Sequence, residues 1–257
     1  AYDYAADARG YSWGLAGEWY RDNWVFRASR MLTPKIPNQL NLNWQIFNAY
    51  GDQIEVERQH AIGDLPGKVS VLAYRNRMIM ARFSDATNYL SANPSARGTQ
   101  AISNVRNNYQ YKTGIGINGE QALTKDLGIY GRAFTSDGHT ETMSFTEADN
   151  SLSVGMSLNG MRWNRAYDTI GISMMQNGLS SFRRNYLQAG GVSYFIGDTS
   201  NPYNGPNQTI NYRPERVGEI YYNALLVKNV LLGVNFQHIN NPTNVPHNIP
   251  HTIERSL

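Results

Sequence analysis

Cysteine is absent from the 257 residues, which excludes a disulfide framework and thiolate chemistry. Long apolar runs are missing too. The best stretch, "ALLVKNVLLGV" at 224–234, is broken by Lys228 and Asn229, so no helix of about 20 apolar residues is expected to cross a bilayer. Charge is scarce: Asp, Glu, Lys and Arg make up 17% of the chain, against roughly 25% in ordinary soluble domains. The net charge of +3 is small, and Lys and Arg are scattered without a basic run, which argues against nucleic acid as a partner. The opening residues, "AYDYAADARG", have neither a basic start nor an apolar centre, so no secretory leader is read there. The chain is expected to be a mature form or a piece of a longer one.

The missing charge is not replaced by apolar side chains, because mean hydropathy is −0.51. The excess lies instead in 23 Gly, 17 Tyr and many Asn. Such a mix suits strands that turn a polar face to confined water. The stretch "GYSWGLAGEWYRDNWVFRAS" carries the pattern: Tyr11, Trp13, Leu15 and Trp19 alternate with Ser12, Gly14, Ala16 and Glu18, and Trp24, Phe26 and Ala28 resume the beat after "RDN". A period of two marks a strand, and a break of two or three turn residues marks a hairpin. The pattern recurs over about 10–21, 23–32, 52–62, 67–78, 111–122, 126–136, 151–163, 168–178, 214–226 and 230–240. These segments exceed the usual strand of about 5–6 residues and match the 9–11 of a tilted strand crossing a bilayer.

The joints between them alternate. "RDN", "GDLP", "LTKD", "NRAY" and "KN" are short, whereas 33–51, 79–110, 137–150 and 179–213 are long. A soluble sandwich has no reason for that regularity; an up-and-down barrel with short periplasmic turns and long outer loops does. The faces agree. Leu152, Val154, Met156 and Leu158 alternate with Ser151, Ser153, Gly155, Ser157 and Asn159, and Ile170, Ile172 and Met174 with Thr169, Gly171 and Ser173. Acyl chains would cover the apolar face and the polar face would line water. Trp13, Trp19, Trp24, Trp163, Tyr111 and Tyr222 fall at strand ends, as interfacial girdles require. Arg30, Arg58, Arg75 and Arg77 carry the apolar parity. They are expected near the outer rim or, for Arg75 and Arg77, behind a register-shifting bulge.

Enzyme signatures are lacking. No G-x-S-x-G or P-loop occurs, and "GIGING" at 114–119 falls inside a strand. His247 and His251 have the spacing of helical metal ligands but are separated by Pro250, so no metal and no cofactor is expected. The expectation is an all-β, transmembrane, antiparallel up-and-down barrel with about ten readable strands.

Several strings together resemble the carbohydrate-selective porins of the OprB type: "DYAADARGYSWGLAGEWY", "PKIPN", "PGKVSVLAYRNRMIMARFSDA", "LTKDLGIYGRAF", "GMRWNRAYDTIGI", "NGLSSFRRNYLQAGG" and "PERVGEIYYN". The resemblance runs from about residue 3 to 240. It implies a sixteen-stranded barrel in the outer membrane of a Gram-negative bacterium and facilitated diffusion of sugars and similar small solutes, with no catalytic step. On that pattern residues 1–257 form one barrel domain, incomplete at both ends: about five strands would precede it, and the tail "NVPHNIPHTIERSL" is not the usual closing strand. Implied partners are membrane lipid and lipopolysaccharide, sugar solutes, and a second copy or neighbouring outer-membrane protein. The alternative is a non-conducting structural or assembly component on the same scaffold.

A sugar pore needs a constriction of charged and hydrogen-bonding groups that bind weakly enough to release. Candidates with the polar parity are Glu18, Arg27, Glu55, Glu57, Lys112, Glu120, Arg132, Glu215 and Glu219, of which Arg27, Glu55, Glu57 and Arg132 are favoured by their mid-strand positions. The competing role is a cross-strand ladder that braces the wall without touching solute. The long links add Arg82, Arg97 and Arg106 in 79–110, which either narrows the pore or caps its mouth. They also add Arg183 and Arg184 in a short helix over 180–191, facing the mouth or simply solvated.

Overall fold

The computed structural model describes residues 2–144, 147–193 and 212–244. Ten strands form one antiparallel sheet in chain order: β1 Gly14–Arg21, β2 Trp24–Leu32, β3 Tyr50–Ile62, β4 Leu65–Met80, β5 Asn108–Ala122, β6 Leu127–Ser136, β7 Asn150–Gly160, β8 Arg165–Gly178, β9 Glu215–Val227 and β10 Val230–Asn240. Among the described residues the order is linear, with β1 and β10 at open edges. Short turns hold one end of the meander, and four carry a left-handed residue: Asp22, Gly63, Asn164 and Asn229. These residue types accept positive φ at least cost. At the fifth, the Leu127 N–H donates to Thr124 Oγ1 at 3.0 Å, and Arg162 pairs with Asp126 from the adjacent turn.

One face is apolar and uncovered. Leu152, Val154, Met156, Ile172 and Met174 are all about half exposed or more, from 47% to 66%, so no second protein layer shields them. In water that surface would be unfavourable by about 25 cal/mol per Å²; in hydrocarbon it is solvated.

The arginines on this face resolve at the strand ends. The ladders of β3 with β4 and β4 with β5 run without a register shift through Arg75 and Arg77, so no bulge is present there. Both lie at the long-link end, where Arg30 and Arg75 converge on Asp52 and the guanidinia stack on Tyr50, Tyr109 and Tyr111. At 16 residues β4 is the longest strand. A span of that length, tilted by about 40°, rises roughly 40 Å and outreaches a hydrocarbon core of about 30 Å. Arg58 departs from the expected outer rim. It sits at the short-turn end, opposite Trp24 in register, and its guanidinium lies 4.9 Å from the Trp24 ring centroid.

The largest buried apolar cluster is in the links. Helix α1 (Phe83–Ala92) packs on helix α2 (Ser181–Gln188), joining Phe83, Ala86 and Leu90 to Ala101, Leu179, Tyr186 and Leu187. Ser180 caps α2 by accepting the Arg183 N–H at 3.1 Å, and Gly190, at φ +96°, follows its end. Residues 10–13 do not join β1. Asp7 Oδ1 takes the N–H groups of Arg9 and Tyr11, and the Asp7 N–H bonds the Tyr11 carbonyl, which turns the chain before Gly14.

Candidate pore-lining site

The polar face gathers the mid-strand candidates. Register sets Arg27 of β2 between Glu18 of β1 and Glu55 of β3. The Arg27 guanidinium donates to Glu55 Oε1 at 2.5 Å and Glu57 Oε2 at 2.9 Å and stands 3.4 Å from Glu18 Oε1. Gln59 donates to the other Glu57 oxygen at 3.2 Å. One cation thus serves three carboxylates, leaving formal excess negative charge on a half-buried patch.

Register extends this patch sideways. Glu57, Ser70, Asn118, Arg132 and Ser153 are successive partners on β3 to β7. A second row, Gln59, Lys68, Glu120, Tyr130, Gly155, Ser173, Glu219 and Gln237, crosses β3 to β10. Lys68 pairs with Glu120 at 3.5 Å, Arg132 donates to Asn118 Oδ1 at 2.9 Å, and Glu219 accepts from Asn235 at 3.5 Å. Arg132 is exposed, so it can form hydrogen bonds beyond the wall. Glu57, Gln59, Lys68, Glu120, Tyr130 and Arg132 share the lining of a concavity of about 740 Å³. Arg132 and the Arg27 cluster lie on one register row but do not touch.

Lys112 has the polar parity yet is only 2% exposed. The segment at 2–7 crosses the polar face there. Tyr2 packs on Tyr74 and Phe134, the Asn76 amide donates to the Asp3 carbonyl at 2.5 Å, and Lys112 Nζ stands 3.6 Å from Asp3 Oδ2. Burial pushes the Asp3 carboxyl up, against the lowering pull of Lys112 and the Met143 and Ser144 N–H groups.

The link arginines separate. Arg183 is 2% exposed, not a solvated surface group. It makes a two-point pair with Asp149 and also donates to Thr142 Oγ1 at 2.8 Å. Burial, the largest influence, raises the Asp149 carboxyl, but Arg183 and Lys112 outweigh it and hold it below the usual range. Arg106 makes a two-point pair with Glu141 at 2.6 Å to each oxygen. Arg184 is half-buried over the Tyr212 ring, Arg97 packs its stem against Gly190, and Arg82 is exposed and donates to Gln110 at 2.7 Å. Glu215 accepts from Asn177 at 3.1 Å.

The anchors Asp3, Asp149 and Glu141 escape a reading by strand parity, because they lie in links and pair across large sequence separations. His247 and His251 lie outside the described residues, as does most of the tail at 244–257. Among the described residues no cluster of three His, Asp or Glu forms a metal site.

A single meander, apolar outside and polar inside, with short turns at one end and long links at the other, is the wall of an outer-membrane β-barrel. The family described as carbohydrate-selective porin, OprB family, matches residues 6–253. The chain belongs to that family, whose members are channels of the Gram-negative outer membrane rather than enzymes. Among solved structures it is similar to Pseudomonas putida OprB at high pH, with a TM-score of 0.67 and 17% identity over 91% of this chain. It spans 55% of that chain's length. Pseudomonas aeruginosa FpvA bound to a heterologous pyoverdine matches at a TM-score of 0.38 and 13% identity, over 87% of this chain and 28% of that one. No curated protein sequence matches.

Proposed function

We propose that the chain forms wall and mouth of a water-filled pore that passes sugars and similar neutral solutes by facilitated diffusion. The observation that carries this reading is the Arg27 cluster with Glu18, Glu55 and Glu57, continued by the register row to the exposed Arg132. Mixed charge on one wall offers donors and acceptors to sugar hydroxyls. Each exchange with water is worth only about 0.5–1.5 kcal/mol, which suits binding that must also release. Glu18, Arg27, Glu55, Glu57, Glu120, Arg132 and Glu219 are the proposed lining. Lys112, Arg183 and Arg106 instead hold the segment at 2–7 and the links against the mouth.

The test is conductance of the full protein in planar bilayers. Ion current that falls as sugar is added supports the pore. Absence of current at any voltage overturns it and favours the non-conducting scaffold. That second reading draws on Tyr2 and Asp3, which occupy part of the polar face.

A further inference from the structure

Two tyrosines on the polar face lie flat on the wall. A Cβ added to Gly155 would stand 2.5 Å from Tyr130 Cε1 and 2.7 Å from its Cζ; one added to Gly171 would stand 2.4 Å from both Cε1 and Cζ of Tyr221. Each ring therefore rests on the backbone of its register partner, where only glycine leaves room. Tyr130 reaches from β6 over β7, and Tyr221 from β9 over β8. Gly155 is opposite Ser173, and Gly171 opposite Ser157. The two glycines are thus diagonal neighbours, about 7–8 Å apart, and the rings converge on one another from flanking strands. Serine hydroxyls fill the other two corners, and the Arg132 guanidinium lies 5.2 Å from the Tyr130 centroid. Tyr74 lies over Gly114 in the same way, but it is 4% exposed beneath Tyr2. Tyr130 and Tyr221 are only partly buried.

We infer that Tyr130 and Tyr221 form a stacking platform that selects pyranose rings over open-chain polyols. The inference deepens the pore reading and rests on it. A pyranose presents a face of C–H groups carrying slight positive charge, which meets the negative face of an aromatic ring. Its hydroxyls point outward at the ring edge, toward Ser157, Ser173 and Arg132. An acyclic polyol has the same hydroxyls but no rigid C–H face, so it gains only the hydrogen bonds.

The experiment measures equilibrium binding of glucose and sorbitol to the folded full protein in detergent by saturation-transfer NMR, and in parallel the sugar block of its bilayer current. The unsubstituted protein prefers glucose. Replacing both rings (Y130L with Y221L) weakens glucose binding about tenfold, leaves sorbitol binding unchanged, and removes the preference. Y130F with Y221F keeps the preference, since the rings and not the phenol groups carry it. Gly155→Ala, which lifts the Tyr130 ring off the wall, gives an intermediate loss. Equal glucose binding by the unsubstituted and leucine proteins, or no glucose preference in the unsubstituted one, overturns the platform. A protein that binds glucose with this pattern but carries no current keeps the platform and loses the pore.

Discussion

Arg183 and Asp149 form a two-point ion pair almost wholly out of water: Nε to Oδ2 is 2.9 Å, Nη2 to Oδ1 is 3.0 Å, and each side chain is 2% exposed. Removing one partner strands the other charge. Arg183→Ala is expected to destabilise the α1–α2 cluster by about 3–5 kcal/mol, read as faster hydrogen exchange in α1 and α2 with the strands unaffected. Arg183→Lys does not restore protection, because an ammonium cannot bridge both oxygens.

On the pore reading, the Arg27 cluster is expected to set ion preference. Arg27→Gln leaves Glu18, Glu55 and Glu57 uncompensated and shifts the reversal potential under a KCl gradient toward cations. The double change Glu55→Gln with Glu57→Gln shifts it the other way. If neither variant moves the potential or the sugar block, the cluster is a brace and not part of the conducting path.

Neighbouring residues of β7 face opposite solvents. Val154→Arg puts a charge on the uncovered apolar face and costs about 2–4 kcal/mol if the site is near the bilayer midplane. Ser153→Glu, one residue away on the polar face and opposite Arg132 in register, is expected to be nearly neutral. Urea unfolding from lipid vesicles compares the two.

At the short-turn end, Arg162 holds the Asp126 carboxyl down to about 2. A carboxyl depressed in the folded protein stabilises it above the ordinary carboxylate range, and that contribution fades as pH falls toward 2. Arg162→Gln should move the Asp126 titration, followed by carboxyl carbon NMR, up toward the ordinary range, with the Thr124 hydroxyl still holding it somewhat down. Asp149 obeys the same sign: its depressed value makes the α1–α2 cluster loosen only at strongly acidic pH.

The face of each strand was legible because a period of two needs no partner. Leu152 to Leu158 and their serine and glycine neighbours specify it locally. The contacts were not. Asp3 meets Lys112, and Arg183 meets Asp149, through chain returns that no pattern encodes. Tyr11 and Trp13 alternate as a strand does, yet the Asp7 carboxylate takes the Tyr11 N–H that a ladder would need. Helix α2 was readable, its start to within a residue and its end to within three, because Ser180 and Gly190 are local boundary signals. Which arginines would be buried depended on acids elsewhere in the chain. Among the nine polar-parity candidates, parity alone could not separate Lys112, covered by residues 2–7, from Arg132, which stays open.

The row from Gln59 to Gln237 runs square to the strands, and barrel strands lean by about 35–45° from the axis. Each step to the next strand therefore descends by about 3 Å. On the pore reading proposed above, such a lining would work as a spiral ramp: a solute handing its hydroxyls from one rung to the next would rotate as it advances, and no single rung would have to hold it firmly.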